Sequence, residues 1–190
     1  MDHSEQPVIR LWITDDHEVT RVGLRTLLSS CPAFEIVGEA GSAAETFAAV
    51  QRLKPDLLLL DVRLPDRSGI EVCRRLRDAE SPPKILVLTS YASDELIFEA
   101  ISSGADGYLL KEIHADKLIQ AILDVAAGKS ILDPAVTSRV LNRVRNPSAS
   151  PAPSKFDLLS AQETRVVALV AEGKTNKEIA REMGLSDKTV

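Results

Sequence analysis

Polar residues follow four aliphatic runs of the sequence at the point where each run ends. Asp15 and Asp16 come after the first run, Asp61 after the third, Thr89 after the fourth and Lys111 after the fifth. Three carboxylates repel one another unless a cation joins them, and Mg²⁺ accepts carboxylates together with water and phosphate oxygens. The hydroxyl and the ammonium group are then available to a phosphoryl group. These residue types therefore indicate a magnesium-dependent phosphoryl site, provided that the fold brings them together.

Each of these residues taken singly also has a purely structural explanation. An acid such as Asp15 or Asp16 often caps the helix that follows a strand. Thr89 and its neighbour Ser90 could cap a helix that begins near Asp94. A lone lysine after a strand is usually solvated. The site is favoured because all four positions lie at corresponding strand ends.

The elements that must position these residues are five short aliphatic runs alternating with helix signals. Several runs are apolar at successive positions, which is typical of strands covered on both faces. The pattern predicts five βα units in an α/β fold, as a doubly wound five-stranded parallel sheet. Ligands of such sheets bind beyond the carboxyl ends of the strands. The runs are 8–13, 34–37, 57–60, 85–88 and 107–110.

A second part of the chain follows a linker. The segment 146–154 reads NPSASPAPS and offers no charge and no large apolar side chain to bury. Before it, Asp133 and Pro134 have the pattern of a helix start and predict a helix to about Val144. We predict a sheet domain at 7–128, this helix and the linker at 129–154, and a small all-α segment at 155–190.

Composition excludes several classes of protein. With 44% hydrophobic and 27% charged residues the chain has enough apolar material for a core, which excludes wholesale disorder. Its longest purely aliphatic run, Leu57–Leu60, is too short to cross a bilayer. Two cysteines without a CxxC spacing fit a reducing compartment. We therefore expect a cytoplasmic protein with no membrane partner, and we interpret its three histidines, His3, His17 and His114, as surface residues.

Residues 7 to about 128 resemble the receiver domain of bacterial two-component response regulators, which has a flavodoxin-like fold. The spacing of the motifs agrees over the whole stretch. The matching features are Asp15-Asp16, then Asp61 with Leu64-Pro65-Asp66 and Gly69, then Leu88-Thr89-Ser90, then the run 104–111, GADGYLLK.

The resemblance implies a phosphoacceptor and a metal site. Asp61 would receive a phosphoryl group from a sensor histidine kinase. Asp16 and Asp61 would bind Mg²⁺ directly, Asp15 would bind it directly or through water, and the backbone carbonyl of Arg63 would complete the protein ligands.

The resemblance also implies how the phosphoryl group is recognised. Thr89 would donate a hydrogen bond to a phosphoryl oxygen, Lys111 would pair with it, and Tyr108 would be the aromatic that swings inward when Thr89 moves. For Tyr108, an ordinary half-buried strand aromatic is the alternative. Many receivers have a proline after this lysine, whereas Glu112 stands here.

The segment after the linker carries signals for short helices. Ser160 with Glu163 and Thr175 with Glu178 have the spacing of capping boxes, and a glycine lies before the next helix start at Ser186. Any small helical bundle would satisfy this pattern. Residues 159–190, however, closely resemble the LuxR-type DNA-binding domain of NarL/FixJ response regulators.

In that family the helix beginning near Ser186 enters the major groove of DNA. The sequence given extends about one turn into it, and the segment 154–190 has as many basic as acidic residues. We therefore expect weak operator binding by this chain. The residues expected to contact the DNA backbone are Lys174, Lys177, Lys188 and Thr189.

The sequence thus predicts a regulatory protein, not an enzyme, in which phosphorylation of Asp61 controls dimerisation and binding to promoter DNA. The homodimer would use the helix within 14–30 together with 115–128, or the face formed by the fourth and fifth units. One alternative is a magnesium-dependent phosphohydrolase, although Asp61-Val62-Arg63 lacks the second acid typical of such enzymes. The other is an adaptor that works without phosphorylation.

Overall fold

The computed structural model describes residues 8–79, 81–145 and 174. The chain divides between Arg145 and Asn146 into two units, and all described elements belong to the first. None of the helices in this part is both long and apolar enough to span a membrane. The strands are β1 Ile9–Thr14, β2 Phe34–Ala40, β3 Leu57–Leu60, β4 Lys84–Thr89, β5 Gly107–Leu110 and β6 Ile131–Leu132. The helices are α1 Glu18–Ser29, α2 Ala43–Leu53, α3 Gly69–Arg77, α4 Asp94–Ser102, α5 Ala115–Ala126 and α6 Pro134–Arg145.

The strands form one parallel sheet in the order β2-β1-β3-β4-β5-β6. This confirms the predicted doubly wound α/β fold and all five predicted strands. The predicted number of strands was too low, because β6 adds two residues to the β5 edge, with Gly107 opposite Ile131 and Tyr108 opposite Leu132. A two-residue strand has no periodicity to detect, and it exists only because β5 offers an open edge.

The core has two layers, one on each face of the sheet. In β3 the side chains of Leu58 and Leu60 join the layer beneath α2, α3, α4 and α6, while Leu57 and Leu59 join the layer beneath α1 and α5. All four are at most 1% exposed. Each buried leucine contributes about 1.5–3 kcal/mol of hydrophobic stabilisation. A strand covered on both faces explains why this run is continuously apolar.

Helix caps follow local side-chain chemistry. Ser42 accepts a hydrogen bond from the Glu45 N–H at 3.3 Å, and the Glu45 carboxylate accepts one from the Gly41 N–H at 3.2 Å. Helix α4 is capped by Ser93, which accepts from the Leu96 N–H at 3.3 Å. The alternative in which Thr89 or Ser90 caps this helix is therefore wrong, because Ser93 lies directly before its first turn.

Helix α6 begins at the predicted proline and ends one residue beyond the predicted end. The Thr137 N–H donates to the Asp133 carbonyl at 2.8 Å and closes its first turn. Val136 is fully buried in the core layer that α4 also covers, and Val140 packs against the same layer. The helix thus packs on the sheet unit. The sequence pattern predicts only a helix that leads into the linker and gives no sign of this packing.

Candidate functional site

The carboxyl ends of four strands place the predicted site residues at one edge of the sheet. The residues just beyond each strand remain hydrogen-bonded to a neighbouring strand. The Asp61 N–H donates to the Thr14 carbonyl at 2.9 Å, and the Lys111 N–H donates to the Thr89 carbonyl at 3.0 Å. The Asp15 N–H donates to the β2 carbonyl of residue 40 at 3.1 Å. Because the backbone is fixed up to each of these positions, their side chains converge.

The carboxylate of Asp61 is the centre of the site. Its Oδ1 accepts a hydrogen bond from Thr89 Oγ1 at 2.7 Å, and its Oδ2 accepts one from Lys111 Nζ at 2.5 Å. The Arg63 N–H reaches the same Oδ1 at 3.3 Å. Asp61 is only 3% exposed and Thr89 is fully buried. The structure therefore brings together the acid, the hydroxyl and the ammonium group that the sequence singled out.

Lys111 is shared between two buried acids. Its Nζ lies 2.7 Å from Asp15 Oδ2 as well as 2.5 Å from Asp61 Oδ2. Burial lowers the pKa of Lys111, but the hydrogen bonds and negative charges of Asp15 and Asp61 outweigh burial and raise the pKa above its ordinary value. The lysine is thus a permanent cation of the site.

Four side chains at this edge offer ligand atoms for a metal ion within 4.8 Å of one another: Asp15, Asp16, His17 and Asp61. Asp15 and Asp61 are buried, whereas Asp16 is one-third exposed, so the cluster opens to solvent at Asp16. Three acids meet one lysine here, which leaves an excess of negative charge. Carboxylate oxygens with this excess charge fit a hard divalent cation.

His17 is the member of this cluster that the sequence analysis missed. Its side chain is exposed, as expected, yet Nδ1 lies 2.6 Å from Asp16 Oδ1 and 3.5 Å from Asp15 Oδ1. The backbone N–H of His17 donates to Asp15 Oδ1 at 2.9 Å. His17 itself, not Asp15 or Asp16, is the N-cap residue of α1, so the alternative in which one of these acids caps the helix is wrong. The available signal was its position directly after the acid pair.

The loop between β3 and α3 holds Asp61 by close backbone packing. The Gly69 N–H donates to the Val62 carbonyl at 2.7 Å, and a Cβ at Gly69 would lie 2.1 Å from the Asp61 carbonyl oxygen. Only glycine fits at this approach. Asp66 accepts hydrogen bonds from the N–H groups of Ala43 and Ala44, each at 2.9 Å, and fastens the loop to the start of α2.

Tyr108 connects the sheet to the β4–α4 loop, residues 90–93. The tyrosine is fully buried, and its hydroxyl donates to the Tyr91 carbonyl at 2.7 Å. Burial, and after it the negative charge of Asp61, raises the pKa of Tyr108 to about 12, so the hydroxyl stays a donor. On the solvent side the Arg63 guanidinium lies 3.8 Å from the centre of the Tyr91 ring. Tyr108 is thus fully buried, not half-buried, and it already lies inward; its role as a switch stays a prediction.

The residues expected to contact DNA lie almost wholly beyond the described part of the chain. Lys177, Lys188 and Thr189 are outside the described residues, as are the helices expected after the linker. Lys174 is described and partly buried. Their placement remains a prediction.

Comparisons with known proteins agree with both halves of the sequence pattern. Residues 11–123 match the family model of the response regulator receiver domain, and residues 157–190 match the model of bacterial regulatory proteins of the luxR family.

Three similar proteins extend this match over most of the chain. The DNA-binding transcriptional activator DevR/DosR of Mycobacterium tuberculosis is 43% identical over 96% of this chain and 83% of its own length. The transcriptional regulatory protein LiaR of Bacillus subtilis is 37% identical over 96% and 86%. The crystal structure of a LuxR-family two-component response regulator from Aurantimonas sp. SI85-9A1 has a TM-score of 0.68 at 29% identity, covering 73% of this chain and 99% of that one. The chain therefore belongs to the LuxR-type response regulators, with a receiver domain before a helix-turn-helix DNA-binding domain.

Proposed function

We propose that Asp61 is the phosphoacceptor and that a sensor histidine kinase is the donor. The observation that supports this proposal is the position of the Asp61 carboxylate, buried between a hydroxyl and an ammonium group on one side and an acid pair on the other. Lys111 neutralises part of the negative charge around this carboxylate, and the groups that would receive the phosphoryl oxygens already stand beside it.

The transfer itself is a single displacement. An Asp61 oxygen forms a bond to phosphorus while the bond between phosphorus and the imidazole nitrogen of the kinase breaks, and the imidazole leaves with the electron pair. Lys111 and Thr89 then donate to phosphoryl oxygens instead of to the carboxylate. When bound, Mg²⁺ supplies the positive charge that neutralises those oxygens. Asp16, Asp61, Asp15 and the Arg63 carbonyl would hold it.

The change of hydrogen-bond partner at Thr89 would transmit phosphorylation of Asp61 to the rest of the domain. Because Thr89 ends β4, its new partner shifts the β4–α4 loop, and Tyr108 follows through its bond to this loop. We assign the receiver to residues 7–128, the helix and linker to 129–154 and the DNA-binding segment to 155–190. In that segment Lys174, Lys177, Lys188 and Thr189 would contact the phosphates of promoter DNA, in the cytoplasm where kinase and promoter meet.

A small-molecule phosphodonor tests the proposal. We would incubate the protein with acetyl phosphate and Mg²⁺ and follow its intact mass. We expect one phosphoryl group on the wild type and none on Asp61→Asn. Asp78→Asn, which alters an exposed aspartate at the end of α3, is the matched control and should be phosphorylated like the wild type.

This experiment, together with an assay of phosphate-ester turnover, separates the adaptor and the phosphohydrolase from the proposed regulator. Absence of phosphorylation in the wild type would favour an adaptor that docks without phosphorylation. Repeated turnover of a generic phosphate ester, abolished in Asp61→Asn, would favour a phosphohydrolase. A regulator that is not an enzyme should hold its phosphoryl group and release it once, by hydrolysis of its own acyl phosphate.

A further inference from the structure

Two consecutive carbonyls of the β4–α4 loop are held by different parts of the molecule. The Tyr91 carbonyl accepts a hydrogen bond from the Tyr108 hydroxyl on β5. The next carbonyl, that of Ala92, accepts one from the Arg139 guanidinium on α6. Arg139 also reaches Asp94 Oδ1, in the first turn of α4, at 3.2 Å. The loop that follows Thr89 is therefore fastened from the sheet and from α6 at the same time.

The other contacts of α6 depend on the same region. Val136 is fully buried and Val140 is partly buried in the core layer that includes Ile97 and Ala100 of α4. At its start, the Asp133 N–H donates to the Tyr108 carbonyl at 3.0 Å. Among the side chains of α6 that the structure describes, Val136, Val140 and Arg139 make these contacts. Loss of the charged hydrogen bond of Arg139 would therefore weaken the attachment of α6 and raise the share of molecules in which the helix is undocked.

The loop is connected to the acid site through Thr89. The Thr89 hydroxyl donates to the carboxylate of Asp61 that accepts the phosphoryl group in the proposed function. A phosphoryl group on this carboxylate replaces the acceptor of the hydroxyl, so Thr89 and the residues after it must shift. Hydrogen bonds weaken steeply with distance and angle, and the carbonyl of Ala92 lies only three residues along the chain.

We propose that α6 is a phosphorylation-sensitive latch, a helix that is docked on α4 before phosphorylation and released after it. Its docking depends on the position of the β4–α4 loop through the contact of Arg139 with that loop. In the unphosphorylated protein Arg139 fastens α6 to α4. Phosphorylation, which this inference takes from the proposed function, moves the Ala92 carbonyl away from the guanidinium and releases the helix. Because α6 ends where the linker begins, its release changes the restraint on the segment that follows. Arg139 is here a positioning residue with no part in the phosphoryl chemistry.

Thermodynamic linkage couples phosphorylation and the docking of α6 in both directions. If the phosphorylated site disfavours the docked α6, then loss of docking must favour the phosphorylated site by the same factor. Arg139→Ala should therefore bind beryllofluoride, a phosphoryl mimic, more tightly in the presence of Mg²⁺. A residue that only stabilised the fold would leave this affinity unchanged or weaken it.

Hydrogen exchange of the α6 amides, measured by mass spectrometry on the full chain, tests the latch. Without a phosphodonor we expect Arg139→Ala to exchange these amides on the order of threefold to tenfold faster than the wild type, with Arg139→Lys in between. Beryllofluoride should bind Arg139→Ala tighter by a similar factor. Leu141→Ala, which alters an exposed residue of the same helix, should leave both quantities unchanged.

A second arm uses the phosphorylated wild type, with intact mass recorded on the same samples. Faster exchange in α6 alongside one bound phosphoryl group supports the latch. Unchanged exchange at full phosphorylation overturns it while leaving the proposed function intact. If no phosphoryl group is taken up, the proposed function fails, and the unphosphorylated comparison of Arg139→Ala with Leu141→Ala still decides whether Arg139 fastens α6.

Discussion

At the scale of single residues, the sharing of Lys111 between Asp15 and Asp61 decides the electrostatics of the site. One ammonium group is shared by two buried carboxylates, at 2.5 Å from Asp61 and 2.7 Å from Asp15. Removal of this cation leaves the two acids facing each other with little water to screen them. Loss of one partner from a buried ionic group is among the costlier single changes in a protein.

The raised pKa of Lys111 predicts a stability difference that depends on pH. A cation whose folded-state pKa is raised stabilises the fold fully below its unfolded pKa, and this contribution is lost as the pH rises through the folded pKa. We expect Lys111→Met to lower the free energy of unfolding by about 2 kcal/mol at pH 8. The difference in free energy of unfolding between the wild type and Lys111→Met should narrow only as the pH passes above the ordinary lysine pKa of 10.5.

Urea unfolding of both proteins between pH 8 and pH 11 measures this gap. The matched control is Lys129→Met, which removes a largely exposed lysine paired with Asp124 at 2.8 Å. Solvent screens this exposed pair, so the control should show only a small difference throughout. A Lys111→Met gap that stays constant through this range would contradict the electrostatic assignment.

At the scale of elements, the β3–α3 loop positions Asp61 through backbone contact. Gly69 opens α3 directly against the Asp61 carbonyl, while Asp66 fastens the loop to the first turn of α2. From the sequence, Gly69 was no more than one position of the motif that follows Asp61. The structure supplies the reason for glycine, which is the room that a Cβ would occupy.

Substitution of Gly69 by alanine should therefore damage both fold and site. The new Cβ would lie 2.1 Å from a backbone oxygen, which cannot rotate away as a side chain would. We expect a loss of about 2 kcal/mol or more in the free energy of unfolding, together with slower phosphorylation of Asp61 by acetyl phosphate.

Gly23→Ala is the control for this prediction. Gly23 lies inside α1, and nothing lies within 4 Å of its Cβ position. Alanine in a helix interior stabilises by roughly 0.5–1 kcal/mol relative to glycine, so this variant should gain stability and keep its phosphorylation rate. If Gly69→Ala behaved like Gly23→Ala, the close approach would not restrict this position.

At the scale of the whole molecule, the packing of α6 bears on the dimer interface that the sequence analysis left open. The helix covers part of α4, one of the elements of the fourth and fifth units. On α1, by contrast, Val19 is 86% exposed and Val22 is 41% exposed. We therefore expect the phosphorylation-favoured homodimer to form through α1 and α5, since Val19 and Val22 already expose apolar surface on α1.

Sedimentation of the phosphorylated protein distinguishes the two faces. Val19→Glu places a charge on the α1 face proposed as the interface and should weaken dimerisation at least about tenfold. Phe98→Glu, on the exposed side of α4, should leave the dimer intact. The opposite result, a dimer lost in Phe98→Glu and kept in Val19→Glu, would assign the interface to the α4 face.

Local pattern was sufficient for much of the fold and for the positions of the acid site. The continuous apolar runs are strands because a strand buried on both faces needs apolar residues at every position. The polar residues that end them must meet, because parallel strands present the same ends at one edge. Asp15, Asp61, Thr89 and Lys111 were therefore predictable from the sequence together with the family resemblance.

Tertiary structure alone decided what depends on partners distant in the sequence. The two-residue β6 exists only against β5. Arg139 reaches the β4–α4 loop across 47 positions of the chain. Periodicity and capping report a residue's neighbours within a few positions, whereas these contacts arise only when the sheet has closed and two separate segments pack side by side.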